Sequence, residues 1–67
     1  MAASQASLGY LILTSGAKPG ALTAMSTHVA HGHYAQLAAY AERQAGKLVP
    51  ADAARVIATD ARTLAAG

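Results

Sequence analysis

The chain has no cysteine, no tryptophan and no phenylalanine among its 67 residues. Without cysteine it can form neither disulfides nor thiolate metal sites, two common ways to stabilise a small protein. Aromatic residues make up 4% of the chain and charged residues 12%, about half of the usual charged share. So few bulky side chains predict a thin hydrophobic core, which favours completion of that core by another chain.

A run of basic residues is also missing, although the formal net charge is +2. The charge therefore permits an anionic partner without indicating one. The longest hydrophobic run, Leu8–Thr14, is far shorter than the roughly 20 residues that cross a bilayer as a helix. No basic residue precedes this run, so it is unlike a secretory signal. We expect a soluble protein without a membrane span, either cytoplasmic or associated with a particle.

Alanine, the strongest helix former, supplies roughly a quarter of the chain. The composition predicts an all-α fold in a single small domain, 1–67. We expect a helical hairpin of two main helices and a hydrophobic N-terminal segment at 8–15. This segment can be a helix or an extended arm, because a short apolar run does not distinguish the two.

The first main helix is predicted over 21–45, between a break at Gly16–Gly20 and a stop at Gly46. Its side chains recur at a spacing of three and four, which places them on one face. The residues of this face are Leu22, Met25, Val29, His33, Leu37, Tyr40 and Gln44.

The second main helix is predicted over 50–66. Pro50 suits the first helical position, and Asp52 suits the positive end of the helix dipole. An apolar stripe at helical spacing follows, formed by Ala53, Val56, Ile57, Ala61 and Leu64.

Catalytic motifs are absent from the sequence. The acids Glu42, Asp52 and Asp60 are isolated, and there is neither a nucleophile elbow nor a phosphate-binding loop. We therefore expect no enzymatic activity and no cofactor. The sequence favours a small structural or interaction subunit that homo-oligomerises or completes a larger assembly, such as a virus particle or a multi-subunit complex. Its partners would be other protein chains, and the predicted contact residues are Tyr10, Leu11, Ile12, Leu13, Met25, Val29, Tyr40 and Leu48.

Three histidines lie within six residues of each other, at positions 28, 31 and 33. His28 and His31 are three apart and share a helix face, as metal-binding pairs do. One chain supplies no complete ligand set nearby, so a metal would require a site shared between subunits. The alternatives are polar surface contacts and a contact that responds to pH, because histidine changes charge near pH 6.5.

The stretch 48–64 contains Ala53-Ala54-Arg55 and, further on, Arg62-Thr63-Leu64. It resembles the winged-helix unit of excisionase-like and MerR-like DNA-binding proteins. The resemblance implies a tight turn at Ala58–Thr59 that leads into a recognition helix, with Arg55 and Arg62 as phosphate contacts. A nucleic-acid-binding regulator is therefore the alternative function, and one continuous amphipathic helix is the alternative structure for this stretch.

Overall fold

The structure is a computed structural model that describes residues 4–67, and it contains four α-helices and no β-strand within that range. The helices are α1 (Gln5–Leu13), α2 (Pro19–Ala30), α3 (Tyr34–Gln44) and α4 (Ala51–Ala66). The all-α prediction is confirmed. Residues 1–3 of the predicted domain lie outside the described range.

The four helices form a closed ring in which each packs against two others. Helix α1 contacts α2 and α4, and α3 also contacts α2 and α4, with the most extensive packing between α3 and α4. Across the described residues 4–67, no Cα atoms of the diagonal pairs α1–α3 and α2–α4 lie within 8 Å of each other. This ring replaces the predicted hairpin of two main helices.

The N-terminal segment is a helix, so the extended-arm alternative for 8–15 is wrong. Ser4 caps α1: its Oγ accepts a hydrogen bond from the Ser7 backbone N–H at 3.1 Å, and the Ser4 N–H donates to Ser7 Oγ at 2.9 Å. This reciprocal pair satisfies two amides at the helix start. Leu8 and Ile12, one turn apart, are fully buried and hold α1 against the core.

The predicted single helix 21–45 is also wrong, because the chain turns at 31–33 and forms α2 and α3 instead. Gly32 has a φ of +70° there, a left-handed conformation that ends helices and that glycine adopts without steric cost. The His33 N–H reaches back to the His28 carbonyl at 2.9 Å and closes the turn. The spacing of the apolar side chains continued through His33, which is exposed, and so hid the break.

Helix α4 closely follows the predicted range 50–66, with Pro50 immediately before its first residue. It runs without interruption through Ala58 and Thr59, so the turn that the resemblance to winged-helix proteins implies is not formed. Gly46, at φ +77°, lies in the α3–α4 loop, and the Val49 side chain of the same loop is buried.

The core contains fourteen buried residues, and half of them are alanines. Alanines that face each other let helices approach closely, which explains the tight packing of α3 on α4. The larger buried side chains fill the centre between the helices: Leu8, Ile12, Met25, Val29, Leu37, Val49 and Ile57. One chain thus encloses a complete, if small, core.

Two glycines allow a test of the helix boundaries. Gly9 lies within α1 and Gly32 in the left-handed turn, and a Cβ at either would meet no atom within 4 Å. We expect Gly9→Ala to raise the free energy of unfolding by about 0.5–1 kcal/mol, because alanine loses less entropy in a helix. Gly32→Ala should lower it by about 1–2 kcal/mol, because its φ is unfavourable for an L residue. Urea denaturation measures both changes, and effects of the same sign would contradict the turn at Gly32.

Candidate protein-interaction surface

Large apolar side chains are exposed on the outer surfaces of α1 and α4. Tyr10 and Leu13 project from α1 and are 68% and 73% exposed, and Val56 on α4 is 45% exposed. Ala6, Tyr10 and Leu13 follow a spacing of four and three, so they form an apolar ridge along the outer face of α1. The surface of the protein is therefore apolar where these two helices meet.

Beside this ridge, α1 and α4 enclose an open groove of about 550 Å³. We call it the α1–α4 groove, and it is lined by Ser4, Ala6, Ser7, Tyr10, Leu11, Val56 and Asp60. Its middle is apolar, and its polar groups gather where α1 begins. Leu11 is half-buried and forms part of its wall.

The two helices that form the groove run antiparallel. The turn after α1 lies at the start of α4, since the Lys18 N–H donates to the Leu48 carbonyl at 2.9 Å and Gly16 lies beside Pro50. At the other end of α1, Ser4 and Ser7 share the groove with Asp60. Asp60 thus lies beside the start of α1, whereas the loop at Lys18 lies beyond the end of α1 and does not line the groove.

Asp60 is the only acid in the groove, and it is half-buried. The chain's other two acids are in ion pairs: Asp52 with Arg55 at 3.5 Å, and Glu42 with Arg62. No basic side chain within residues 4–67 pairs with Asp60. A ligand that covers the groove would therefore need a cation or a hydrogen-bond donor at this point, because an unpaired buried carboxylate is costly.

The predicted contact residues divide into three groups. Tyr10 and Leu13 are exposed on the ridge, and Leu48 is 37% exposed in the α3–α4 loop, apart from the groove. Leu11 and Tyr40 are half-buried. The remaining three lie inside the core of this same chain, so the prediction that they contact another chain is wrong: Ile12, Met25 and Val29.

Sequence reasoning missed the exposure of Val56. The residue was assigned to the buried stripe of the last helix, whereas the structure buries Ala54, Ile57, Ala58 and Ala61. Small side chains form the inner face because α3 lies close to α4. A pattern in which alanines recur every three or four residues could have indicated that face and left Val56 outside it.

The histidines gather at the α2–α3 corner. The ring centroid of His33 lies 6.5 Å from that of His28 and 5.6 Å from that of His31. The His28 ring is also 6.1 Å from Tyr40. In the part of the chain that the structure describes, no group of three side chains is arranged to hold a metal ion. His28 and His31 thus gain no third ligand from residues 4–67.

Arg55 and Arg62, the residues of the nucleic-acid alternative, lie on the side of α4 next to α3. Both belong to the ion pairs described above, so much of their charge is compensated by Asp52 and Glu42. They are nevertheless exposed, and surface ion pairs contribute little energy and exchange readily.

Comparison with known proteins gives no relative: no protein-family model, curated protein or solved structure matches this chain. Within residues 4–67, no helix has both the length and the apolar character needed to cross a membrane.

Proposed function

We propose that this chain is a non-catalytic interaction subunit that binds another protein chain through the α1–α4 groove and its ridge. One observation carries the proposal: Tyr10 and Val56 are exposed together in the α1–α4 groove, and Leu13 is exposed one turn from Tyr10 on the ridge of α1. Soluble proteins seldom leave a continuous apolar surface open to water, and such surfaces commonly serve as binding sites.

The composition of the ridge supports protein contact in particular. Tyrosine is enriched at interfaces because its ring buries a large area while its hydroxyl keeps a polar partner. Covering apolar surface contributes about 25 cal/mol per Å² removed from water. The core is formed without Tyr10 and Leu13, so the exposed area of both side chains is available for contact with a partner.

Photo-crosslinking in cells of the source organism tests the proposal. The variant carries p-benzoylphenylalanine in place of Tyr10, and the control carries it in place of Gln36, which is exposed on α3. We expect an adduct with a protein chain from position 10 and none from position 36. No adduct from position 10, or equal adducts from both positions, would refute a binding surface on this face.

Nucleic-acid binding through 48–64 is the alternative, and it makes a different prediction. Its affinity for duplex DNA should fall steeply as salt rises, because bound phosphates release counterions. The double variant Arg55→Ala/Arg62→Ala should then weaken binding at least tenfold in a fluorescence anisotropy titration at low salt. If the unmodified chain does not bind duplex DNA at all, this alternative is excluded.

A further inference from the structure

We infer that the α1–α4 groove receives an amphipathic helix of a partner protein, oriented by a lysine or arginine side chain that pairs with Asp60. The inference rests on the proposed function and names the chemistry of its partner. Three properties of the groove support it: its walls, its charge and its extent.

The walls of the groove are two antiparallel helices with apolar side chains between them. Tyr10 and Leu11 line the groove from α1, and Val56 lines it from α4. Helices pack by placing rows of side chains from one into the grooves of another, and amphipathic peptide helices bind apolar grooves in this way. Residues 4–67 contain no β-strand, so this part of the chain offers no sheet edge to which an extended peptide could add. The walls therefore favour a helix over an extended segment.

The charge of the groove is confined to one end. Asp60 is the only charged residue among those that line it, and no basic side chain within residues 4–67 forms an ion pair with Asp60. Asp52, one turn before Val56 on α4, already pairs with Arg55 at 3.5 Å. An apolar or acidic side chain over Asp60 would remove water from its carboxylate without replacing it, which is costly. A lysine or arginine instead supplies a charge-assisted hydrogen bond at this point.

The spacing of the groove residues sets the pattern of the partner helix. Asp60 lies four residues after Val56, which is one turn and about 6 Å along α4. A partner helix that covers Val56 with an apolar side chain brings the position three or four residues away to Asp60. We therefore expect apolar residues at helical spacing and a basic residue one turn from one of them.

The extent of the surface favours a short helix over a folded domain. The protein measures 29 × 19 × 19 Å, so one long face covers about 550 Å² in projection, below the roughly 800 Å² per partner of a standard interface. A helix of three turns is about 16 Å long and fits within this face. Interfaces of this size are weak, so we expect a dissociation constant in the micromolar range or above.

Selection from a phage library of 14-residue helix-forming peptides, with the purified full chain as bait, tests the expected pattern. We expect the enriched peptides to share a large apolar residue and a lysine or arginine three or four positions from it. If no peptide is enriched, or if the enriched peptides lack the basic residue, the inference is overturned.

A double-mutant cycle tests the contact with Asp60, with the most enriched peptide and fluorescence anisotropy. Glutamine in place of the basic residue of the peptide, or Asp60→Asn in the protein, should each weaken binding about tenfold. Both changes together should cost no more than about twofold beyond either alone, because each removes the same contact. Glu42→Gln is the matched control: it removes an acid from α3, outside the groove, and should leave the affinity unchanged. Losses that simply multiply would contradict a direct pair.

Tyr10→Ala tests where the peptide binds. It removes an exposed side chain of the groove wall and should weaken binding at least about tenfold, while circular dichroism confirms that the variant is folded. Unchanged binding would place the peptide elsewhere and overturn the inference. An adduct from position 10 in cells, together with enriched peptides that carry no basic residue, would uphold the proposed function and overturn the basic helix as its partner.

Discussion

Truncation of Leu37 to alanine should lower the free energy of unfolding by about 2–5 kcal/mol. The Leu37 side chain is fully buried on α3. Its removal leaves a cavity that the helices cannot fill, and the lost apolar burial adds to the cost. For a domain of this size, 1 kcal/mol corresponds to about 4–8 °C in melting temperature. We therefore expect the melting temperature, measured by circular dichroism, to fall by at least about 8 °C. Part of the population should then be unfolded at 37 °C.

Leu13→Ala is the matched control, because it makes the same truncation at a side chain that is 73% exposed. It should change the free energy of unfolding by less than about 0.5 kcal/mol. Equal losses at the two positions would contradict the placement of α1 and α3 relative to the core.

Enlarging Ala41 to leucine should also destabilise the fold, by about 1–3 kcal/mol or more. Ala41 is fully buried in α3, where the closest packing in the molecule joins α3 to the alanine face of α4. A leucine at this point would push the two helices apart, because neither the backbone nor the neighbouring methyl groups can yield. Chemical denaturation of Ala41→Leu measures the loss.

Ala39→Leu serves as the control for this enlargement, since Ala39 is exposed on the same helix. Leucine and alanine are both good helix formers, so we expect a change of less than about 0.5 kcal/mol. If Ala41→Leu were tolerated as well as Ala39→Leu, or stabilised the protein, the close approach of α3 and α4 would be wrong.

Local signals in the sequence predicted the helical class and the last helix well. Pro50 before α4 and Asp52 in its first turn have direct physical effects on where a helix begins, and they act without help from the rest of the fold. The same holds for Ser4, whose side chain caps the start of α1. Features of this kind can be recognised in a single sequence.

Local signals in the sequence did not predict that the helix breaks at Gly32. A glycine within a periodic stretch is compatible with a continuous helix at a cost of about 1 kcal/mol, and tertiary packing decides between the two outcomes. Here α2 can bury Met25 and α3 can bury Leu37 in the same core only if the chain reverses between them. The energy of that shared core exceeds the cost of the turn.

The sequence indicated which residues are exposed on α1 only in part, for a related reason. Helical spacing places Tyr10 and Ile12 on different faces of α1, but it does not say which face the other helices cover. The assignment of Met25 to an interface followed from the expectation that one chain lacks the bulk to build a core. Alanine-on-alanine packing reduces the volume to be filled, so seven larger side chains are sufficient.

The order of the helices around the ring has a consequence for folding. The contacts α1–α2, α2–α3 and α3–α4 each join helices that are consecutive in the chain, and only the α1–α4 seam links distant segments. Local contacts of this kind require little loop-closure entropy, and helical proteins dominated by them fold in microseconds to milliseconds. We therefore expect the seam to form last on folding and to open first, because α1 is the shorter of its two helices. A molecule that binds to both α1 and α4 across this seam would slow unfolding more than it speeds folding.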